Sequence, residues 1–369
     1  MALAPLPDYP WDAVAPFAAQ AAAHPDGIVD LSIGSPVDET PAVVRDALAD
    51  ATDAHGYPTT IGTPALREAI VAWFARRRGV PGLGTDQVLP SVGSKEFVAL
   101  LAYMLGLGEG DVVVYPTTAY PTYAVGAAMS GATAVAADEP SDWPAETRLV
   151  WVNSPGNPDG RVLDVAALRA RVERARALGA IIVGDECYAE LGWDAPWDDE
   201  RIPSILDPRV TGGDDRGVLA IYSLSKQSNM AGYRAAFAAG CRDTLARLTT
   251  VRKHAGLMVP GPLQRAMTAA LADDAHVTVQ KERYRERRTL LRGALEHAGF
   301  RIDGSEAGLY LWATEGRDAW ESIGSLARRG ILAGPGPFYG ASASEHVRFS
   351  LTATDERIAA AVERLDAVA

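Results

Sequence analysis

Residues 148–188 read RLVWVNSPGNPDGRVLDVAALRARVERARALGAIIVGDECY. An apolar run from Arg148 to Asn153 empties into a loop of turn residues, Ser154 to Gly160. Asp164 then opens a helical segment over 164–178 as its cap, and 180–184 is a second short apolar run that stops at Asp185. Strand, loop, capped helix and strand in one pass describe two parallel strands joined by a crossover helix. The pattern continues on both sides. Thr63 as cap, Pro64 at the first helical position and the apolar face Leu66, Ala69, Ile70, Trp73 and Phe74 predict a helix over 63–78. Helices are expected at 94–105 and about 120–130, and strands at 111–115 and 132–137. Further short apolar runs occupy 217–222 and 235–240. The fold class is therefore α/β, with a mostly parallel sheet covered by helices on both faces. In such sheets ligands bind beyond the carboxyl ends of the strands.

The last third differs. Residues 262–299 are helix-rich, and the charged run Arg283 to Arg292 reads as a solvated connecting helix. Strand-like segments at 308–313, 331–334 and 346–351, with helices near 318–329 and from Thr354 onward, make a smaller α/β domain. The expected organisation is a large ligand-binding domain over 41–270 and a small domain over 271–369, with residues 1–40 packing against the latter. A chain of 369 residues is long enough for two cores.

Composition narrows the function. The 48% apolar content is that of a globular protein. A net charge of −12 disfavours nucleic acid and anionic membranes as partners. Residues 1–10 lack a basic start and an apolar run, so no export signal is expected, and no stretch has the length of a membrane span. Two distant cysteines, Cys187 and Cys241, imply no disulfide framework and fit a reducing cytoplasm. The six histidines show no metal-ligand spacing. The 35 basic residues include only four lysines, Lys95, Lys226, Lys253 and Lys281, so chemistry that needs an amine has few candidates.

Five places carry such chemistry. Lys226 ends the run Ala220-Ile-Tyr-Ser-Leu-Ser-Lys226, with Arg234 eight residues later. Desolvation at a strand end would make the amine a nucleophile, although a lysine snorkelling from the strand fits equally well. Asp185 could cap a helix, hold a metal or pair with a cation. Pyridoxal phosphate offers such a cation in its protonated ring nitrogen. The loop Asn153-Ser-Pro-Gly-Asn-Pro158 is either a plain turn or a rigid mount for Asn157. Gly93, Ser94 and Lys95 open a helix where free backbone N–H groups bind anions, or where ordinary capping suffices. Arg348 lies in a late strand-like segment, where a guanidinium can hold a carboxylate or a structural ion pair.

Taken in order, these motifs resemble the class I and II aminotransferases of the aspartate aminotransferase type, pyridoxal-phosphate fold type I. The resemblance rests on 153–158, Asp185-Glu-Cys-Tyr188, Ser223-Leu-Ser-Lys226 with Arg234, and Arg348. It implies that Lys226 carries the cofactor and then moves the substrate α-proton. Asp185 pairs with the ring nitrogen, while Asn157 and Tyr188 bond the ring hydroxyl oxygen. Ser223, Arg234, Gly93, Ser94 and Lys95 bind the phosphate, and Tyr120 stacks on the ring. Arg348 grips the substrate α-carboxylate, and Gly34 lines that pocket. Tyr57 matches a tyrosine reaching the phosphate of a neighbouring subunit, which implies a homodimer.

Three departures stand out. Lys95 replaces an uncharged residue common in relatives, and Ala235-Ala236 follow Arg234 where a glycine is frequent. Tyr120 lies one residue late, which makes Tyr123 a second candidate for the stack. The stretches at 24–32, 253–260, 308–314 and 346–354 are similar to the actinobacterial-type N-succinyldiaminopimelate aminotransferases. That implies glutamate as amino donor in lysine and diaminopimelate synthesis, acting on small amino-acid and 2-oxo-acid substrates. Aspartate- or kynurenine-type aminotransferases and a C–S β-lyase are alternatives on the same cofactor. A silent regulator of the same fold would bring a DNA-binding domain, and no helix-turn-helix precedes this one.

Overall fold

A computed structural model describes Leu6 and residues 10–366. The reading of the first ten residues as free of an export signal falls largely outside them. Thirteen strands are present among the described residues: β1 (Val29–Asp30), β2 (Val88–Val92), β3 (Val112–Tyr115), β4 (Thr133–Ala136), β5 (Thr147–Asn153), β6 (Ile181–Asp185), β7 (Val218–Ser223), β8 (Ala235–Gly240), β9 (Arg301–Ile302), β10 (Tyr310–Thr314), β11 (Ile331–Leu332), β12 (Gly334–Pro335) and β13 (His346–Ser350).

Seven of them form one sheet in the order β2-β8-β7-β6-β5-β3-β4. All run parallel except β8, which pairs antiparallel with both neighbours. Alternate side chains of β7 face opposite ways. Val218, Ala220 and Tyr222 join one core with the helices Pro64–Trp73, Val165–Leu178 and Gly261–Ala272. Leu219 and Ile221 join the other with the helices Ser94–Met104, Thr122–Ser130 and Arg242–Ala255. Both faces of the sheet are thus covered, as the alternating pattern requires.

Asp164 does cap its helix, accepting from the Ala167 N–H at 2.8 Å. The helix expected over 63–78 is α-helical only to Trp73, and its last turn, Phe74–Arg78, widens to π geometry. Strand β2 escapes the sequence reading because Pro90 sits in its middle. A proline breaks a central strand but is tolerated at a sheet edge, which is where β2 lies.

The C-terminal strands form a second sheet, β12-β13-β10-β9, antiparallel throughout. Residues 29–31 contact this region. Strand β1 pairs with β11, and the Ser350 N–H donates to the Leu31 carbonyl at 2.8 Å. Among the described residues no helix is long and apolar enough to cross a membrane.

The charged run at 283–292 corrects the sequence reading. It lies in the helix Ala275–His297, yet Arg287 and Arg288 are buried. Arg287 clamps Asp38 with both terminal nitrogens, at 2.7 and 2.8 Å, and reaches Asp355 with Nε at 2.6 Å. Arg288 holds Asp194 and the Ser305 carbonyl at 2.8–2.9 Å. One face of the run is solvated, while the other ties the loop bearing Asp38 to this helix. The two faces predict different costs. Arg287→Ala leaves Asp38 enclosed without its partner and is expected to lower unfolding stability by about 3–5 kcal/mol. Arg283→Ala removes an exposed cation 3.9 Å from the same carboxylate and should cost below about 1 kcal/mol. Denaturant titration of both variants checks this, and equal losses would refute the distinction.

Candidate active site

Strands β5, β6 and β7 end side by side. Their register sets Asn153 opposite Asp185 and Asp185 opposite Ile221. The sheet therefore delivers Asn153, Asp185 and Ser223, each the last residue of its strand, to one edge.

Ser223 caps the single helical turn Leu224–Gln227, its Oγ accepting from the Ser225 N–H at 3.1 Å. That turn carries Lys226, whose Nζ donates to the carbonyl of Gly34. Enclosure of the amine lowers its proton affinity, Tyr310 opposes that shift, and the cation of Arg348 reinforces it. A lysine so placed holds a neutral amine more readily than a free one.

Asp185 is buried, and burial pushes its carboxyl above the ordinary carboxylate range. It accepts from the Tyr123 hydroxyl at 2.8 Å and the Cys187 N–H at 3.3 Å. Both partners are neutral. A buried carboxylate held only by neutral donors is suited to a cation brought by a ligand. The Tyr123 ring is itself buried and stacks on Trp151, with centroids 5.1 Å apart. Tyr120 is half-buried and edge-on to Tyr123 at 5.9 Å, near enough to Arg348 and Tyr339 to influence their charge.

Gly93 precedes the helix Ser94–Met104 with φ 77°, a conformation that glycine alone adopts freely. A Cβ at Gly93 would collide with the guanidinium of Arg234, so this arginine lies against the helix N-terminus. Arg234 has φ 57° and is steadied by its Nη1, which donates to the Ala231 carbonyl at 2.7 Å. Free N–H groups, a helix dipole, a guanidinium and the nearby Ser223 hydroxyl make a cradle for a phosphate. Lys95, next along the helix, is exposed. Tyr57 is 98% exposed on the loop before Thr63, unlike the other predicted tyrosines.

Arg348 reaches the site from β13. Its Nη1 donates to Asn157 Oδ1 at 2.8 Å and its Nη2 to the Ser32 carbonyl at 2.7 Å. Only 4% of the residue is exposed, and its Nε has no partner. Asn157 is held in turn, its N–H donating to Asn153 Oδ1 at 2.8 Å. Asn153 also donates to the Pro155 and Asp185 carbonyls, both at 3.0 Å. Tyr188 and Tyr310 share a hydroxyl contact at 3.3 Å, and the Arg348 guanidinium stands 3.9 Å above the Tyr310 ring. Burial raises the Tyr188 phenol well above the ordinary tyrosine range.

The structure thus gathers Lys226, Asp185, Tyr188, Asn157, Ser223, Arg234, Gly93, Gly34 and Arg348 at the sheet edge and the facing small-sheet strands. The sequence reading gave no role to Asn153, Ser32 or Tyr310: Asn153 acts by holding Asn157, Ser32 acts through its backbone carbonyl, and Tyr310 is one aromatic among many.

The family model for class I and II aminotransferases matches residues 26–365. The chain belongs to that family. The members use pyridoxal phosphate and transfer amino groups, so this chain is a pyridoxal-phosphate-dependent transferase with the type I fold. It is 54% identical over 361 residues to the 4-dedimethylamino-4-oxo-anhydrotetracycline transaminase OxyQ of Streptomyces rimosus, covering 98% of this chain and 99% of that one. It is 32% identical to the LL-diaminopimelate aminotransferase of Gloeobacter violaceus, covering 94% and 92%. Among solved structures, an aminotransferase from Neisseria meningitidis superposes with a TM-score of 0.87 at 28% identity, covering 98% and 97%. The residues present fit the family cofactor. The Gly93–Arg234 cradle suits its phosphate, Asp185 lacks a cation that the ring nitrogen supplies, and Lys226 offers an amine.

Two outcomes test this aminotransferase site. Borohydride reduction of the holoenzyme is expected to fix the cofactor to one peptide containing Lys226, and recovery on Lys95, Lys253 or Lys281 would refute the assignment. Asp185→Asn should retain cofactor yet lose at least about 100-fold in kcat, because a neutral amide cannot stabilise a buried cation. A near-normal kcat would leave Asp185 as a structural residue.

Proposed function

We propose that this aminotransferase takes the amino group of glutamate and delivers it to N-succinyl-2-amino-6-oxopimelate, one substrate after the other in a single pocket. The observation that carries the reading is the buried Arg348–Asn157 pair beside Lys226. With Asn157 and Ser32 each satisfying one nitrogen, the guanidinium retains N–H groups for a carboxylate. Both substrates carry an α-carboxylate, so one grip serves both half-reactions.

When bound, pyridoxal phosphate supplies an electron sink for the charge left at the substrate α-carbon. The chain's residues do the rest. Arg348 and Asn157 orient the α-carbon toward Lys226. Lys226, with its lowered proton affinity, would accept the substrate α-proton as a neutral amine and give it up again within the same site. Asp185 holds the ring nitrogen's proton, with Tyr123 fixing its carboxylate. Asn157 and Tyr188 bond the ring hydroxyl oxygen. Arg234, Ser223, Gly93, Ser94 and Lys95 hold the phosphate. The Tyr123 hydroxyl is engaged with Asp185, and Tyr120 would meet the ring face.

We further propose a homodimer in which Tyr57, almost wholly exposed in one chain, completes the phosphate site of the other. Residues 41–270 serve as the cofactor domain, and 271–369 with 1–40 as the small domain bearing Arg348. The two cysteines are free and buried, which fits a reducing cytoplasm.

The acceptor is supported by whole-chain similarity to a diaminopimelate aminotransferase. A second reading is favoured by a specific pair of observations. The most similar of the relatives described above acts, by its name, on an oxo-anhydrotetracycline, and Arg348 is boxed by the rings of Trp11, Tyr310 and Tyr339. Aromatic walls suit a flat polycyclic ketone. The deciding measurement is kcat/KM for N-succinyldiaminopimelate, aspartate, kynurenine and aromatic amino acids with 2-oxoglutarate, beside a polycyclic ketone with glutamate. N-succinyldiaminopimelate is expected to lead by at least about tenfold, or about 1.4 kcal/mol in transition-state stabilisation. Any rival used equally well removes the diaminopimelate reading. Release of pyruvate from cystathionine would reassign the chain as a lyase.

A further inference from the structure

Tyr310 has no role in the scheme above, yet it lies against Arg348, Tyr188 and Gly34 at once. Its ring lies 3.9 Å from the centre of the Arg348 guanidinium. Its hydroxyl is 3.3 Å from that of Tyr188. A Cβ added to Gly34 would collide with the same hydroxyl, and the Gly34 carbonyl is the acceptor for Lys226. The phenol is buried, and burial alone would raise its proton affinity. The cations of Arg348 and Lys226 outweigh burial and lower it. Tyr310 therefore lies in the field of both cationic groups, beside the ring-hydroxyl partner Tyr188.

We propose that Tyr310 is the positioning residue of the substrate site, its ring serving as the platform that keeps the Arg348 guanidinium turned toward Asn157. Three features favour this over plain packing. A buried guanidinium with an unpartnered Nε needs another favourable contact, and an aromatic face supplies one. Asn157 and the Ser32 carbonyl fix two nitrogens in the guanidinium plane but do not resist its tilting. Tyr339, at 4.8 Å, and Trp11, at 5.9 Å, stand farther off, so the closest ring is Tyr310. Gly34 has its own place in the arrangement, because any side chain there would displace the platform.

The inference rests on the reading of Arg348 as the carboxylate grip, and the experiment separates the two. Affinity of the holoenzyme for glutarate, an unreactive dicarboxylate, is measured by calorimetry alongside kcat and KM for glutamate. Arg348→Ala tests the grip itself and should abolish glutarate binding. Tyr310→Leu should weaken glutarate at least about tenfold and raise KM for both substrates alike, because the desolvated cation–π contact is lost. Tyr310→Phe keeps the platform, so glutarate affinity should stay within about threefold, while kcat falls through the lost contact to Tyr188. Gly34→Ala should weaken glutarate as Tyr310→Leu does, and adding Tyr310→Phe should partly restore it by removing the colliding oxygen. That rescue keeps the test open if Tyr310→Leu fails to fold.

Glutarate binding unchanged in folded Tyr310→Leu, while Arg348→Ala loses it, overturns the proposal and leaves the carboxylate grip standing. So does a Tyr310→Phe loss equal to that of Tyr310→Leu, or a Gly34→Ala defect that Tyr310→Phe does not relieve. Glutarate binding retained by Arg348→Ala removes the grip and the platform together.

Discussion

The site depends on one buried guanidinium. Arg348 joins three segments far apart in the chain, the N-terminal strap at Ser32, the loop after β5 at Asn157 and its own strand β13. Burying an unpaired cation is costly, so the chain must place acceptors around it. It places a side-chain amide and a backbone carbonyl, neither of which neutralises the charge. A net positive charge remains there, to which the proposed function assigns a substrate carboxylate. A carboxylate in the position of Asn157 would have made a tighter structural pair and closed the site to substrate.

The opposite end follows the same logic with the sign reversed. Asp185 is a buried anion held by a phenol and a backbone N–H. Its environment raises its proton affinity, which a ligand cation would reverse. Between the two lies Lys226, whose enclosure lowers its proton affinity and whose field Tyr310 moderates. Each charged group is left short of a counter-charge, in the place where cofactor or substrate brings one. Other buried charges meet an opposite charge of the chain itself. Arg78 with Glu186, and Arg287 with Asp38, are examples, and both support elements that carry the site. Glu186 follows Asp185 directly and also accepts from the Ser204 hydroxyl and the Ile205 N–H, so the strand end is pinned beside Asp185.

The parallel sheet places these groups without side-chain help. Adjacent parallel strands end together, so last residues become neighbours whatever their separation in sequence. The antiparallel second sheet brings Arg348 and Tyr310 from facing strands. Helix Ala275–His297 secures the N-terminal strap through Arg287 and Asp38, and through Gln280, which donates to Asp38 at 2.8 Å. The strap in turn presents the Gly34 and Ser32 carbonyls.

The sequence alone determined the fold class and marked positions that the structure brings together. Hydrophobic periodicity is set by burial on a helix or strand face, and the motif spacings follow from strand–loop–helix geometry. Lys226, Asp185, Asn157, Arg234 and Arg348 were legible because they stand at strand ends or in sequence motifs. What only the tertiary structure decided depends on distant partners. The bond from the Tyr123 hydroxyl to Asp185 spans 62 residues and has no trace in the local sequence. Arg287 looks like part of a solvated stripe until Asp38, 249 residues away, is seen against it. Pro90 hides a strand because only sheet order reveals that β2 is an edge. Tyr310 has no local signature, since its role comes from the cation that β13 lays over its ring. Local patterns record which face of an element is buried, whereas the partner that meets that face is a product of long-range packing.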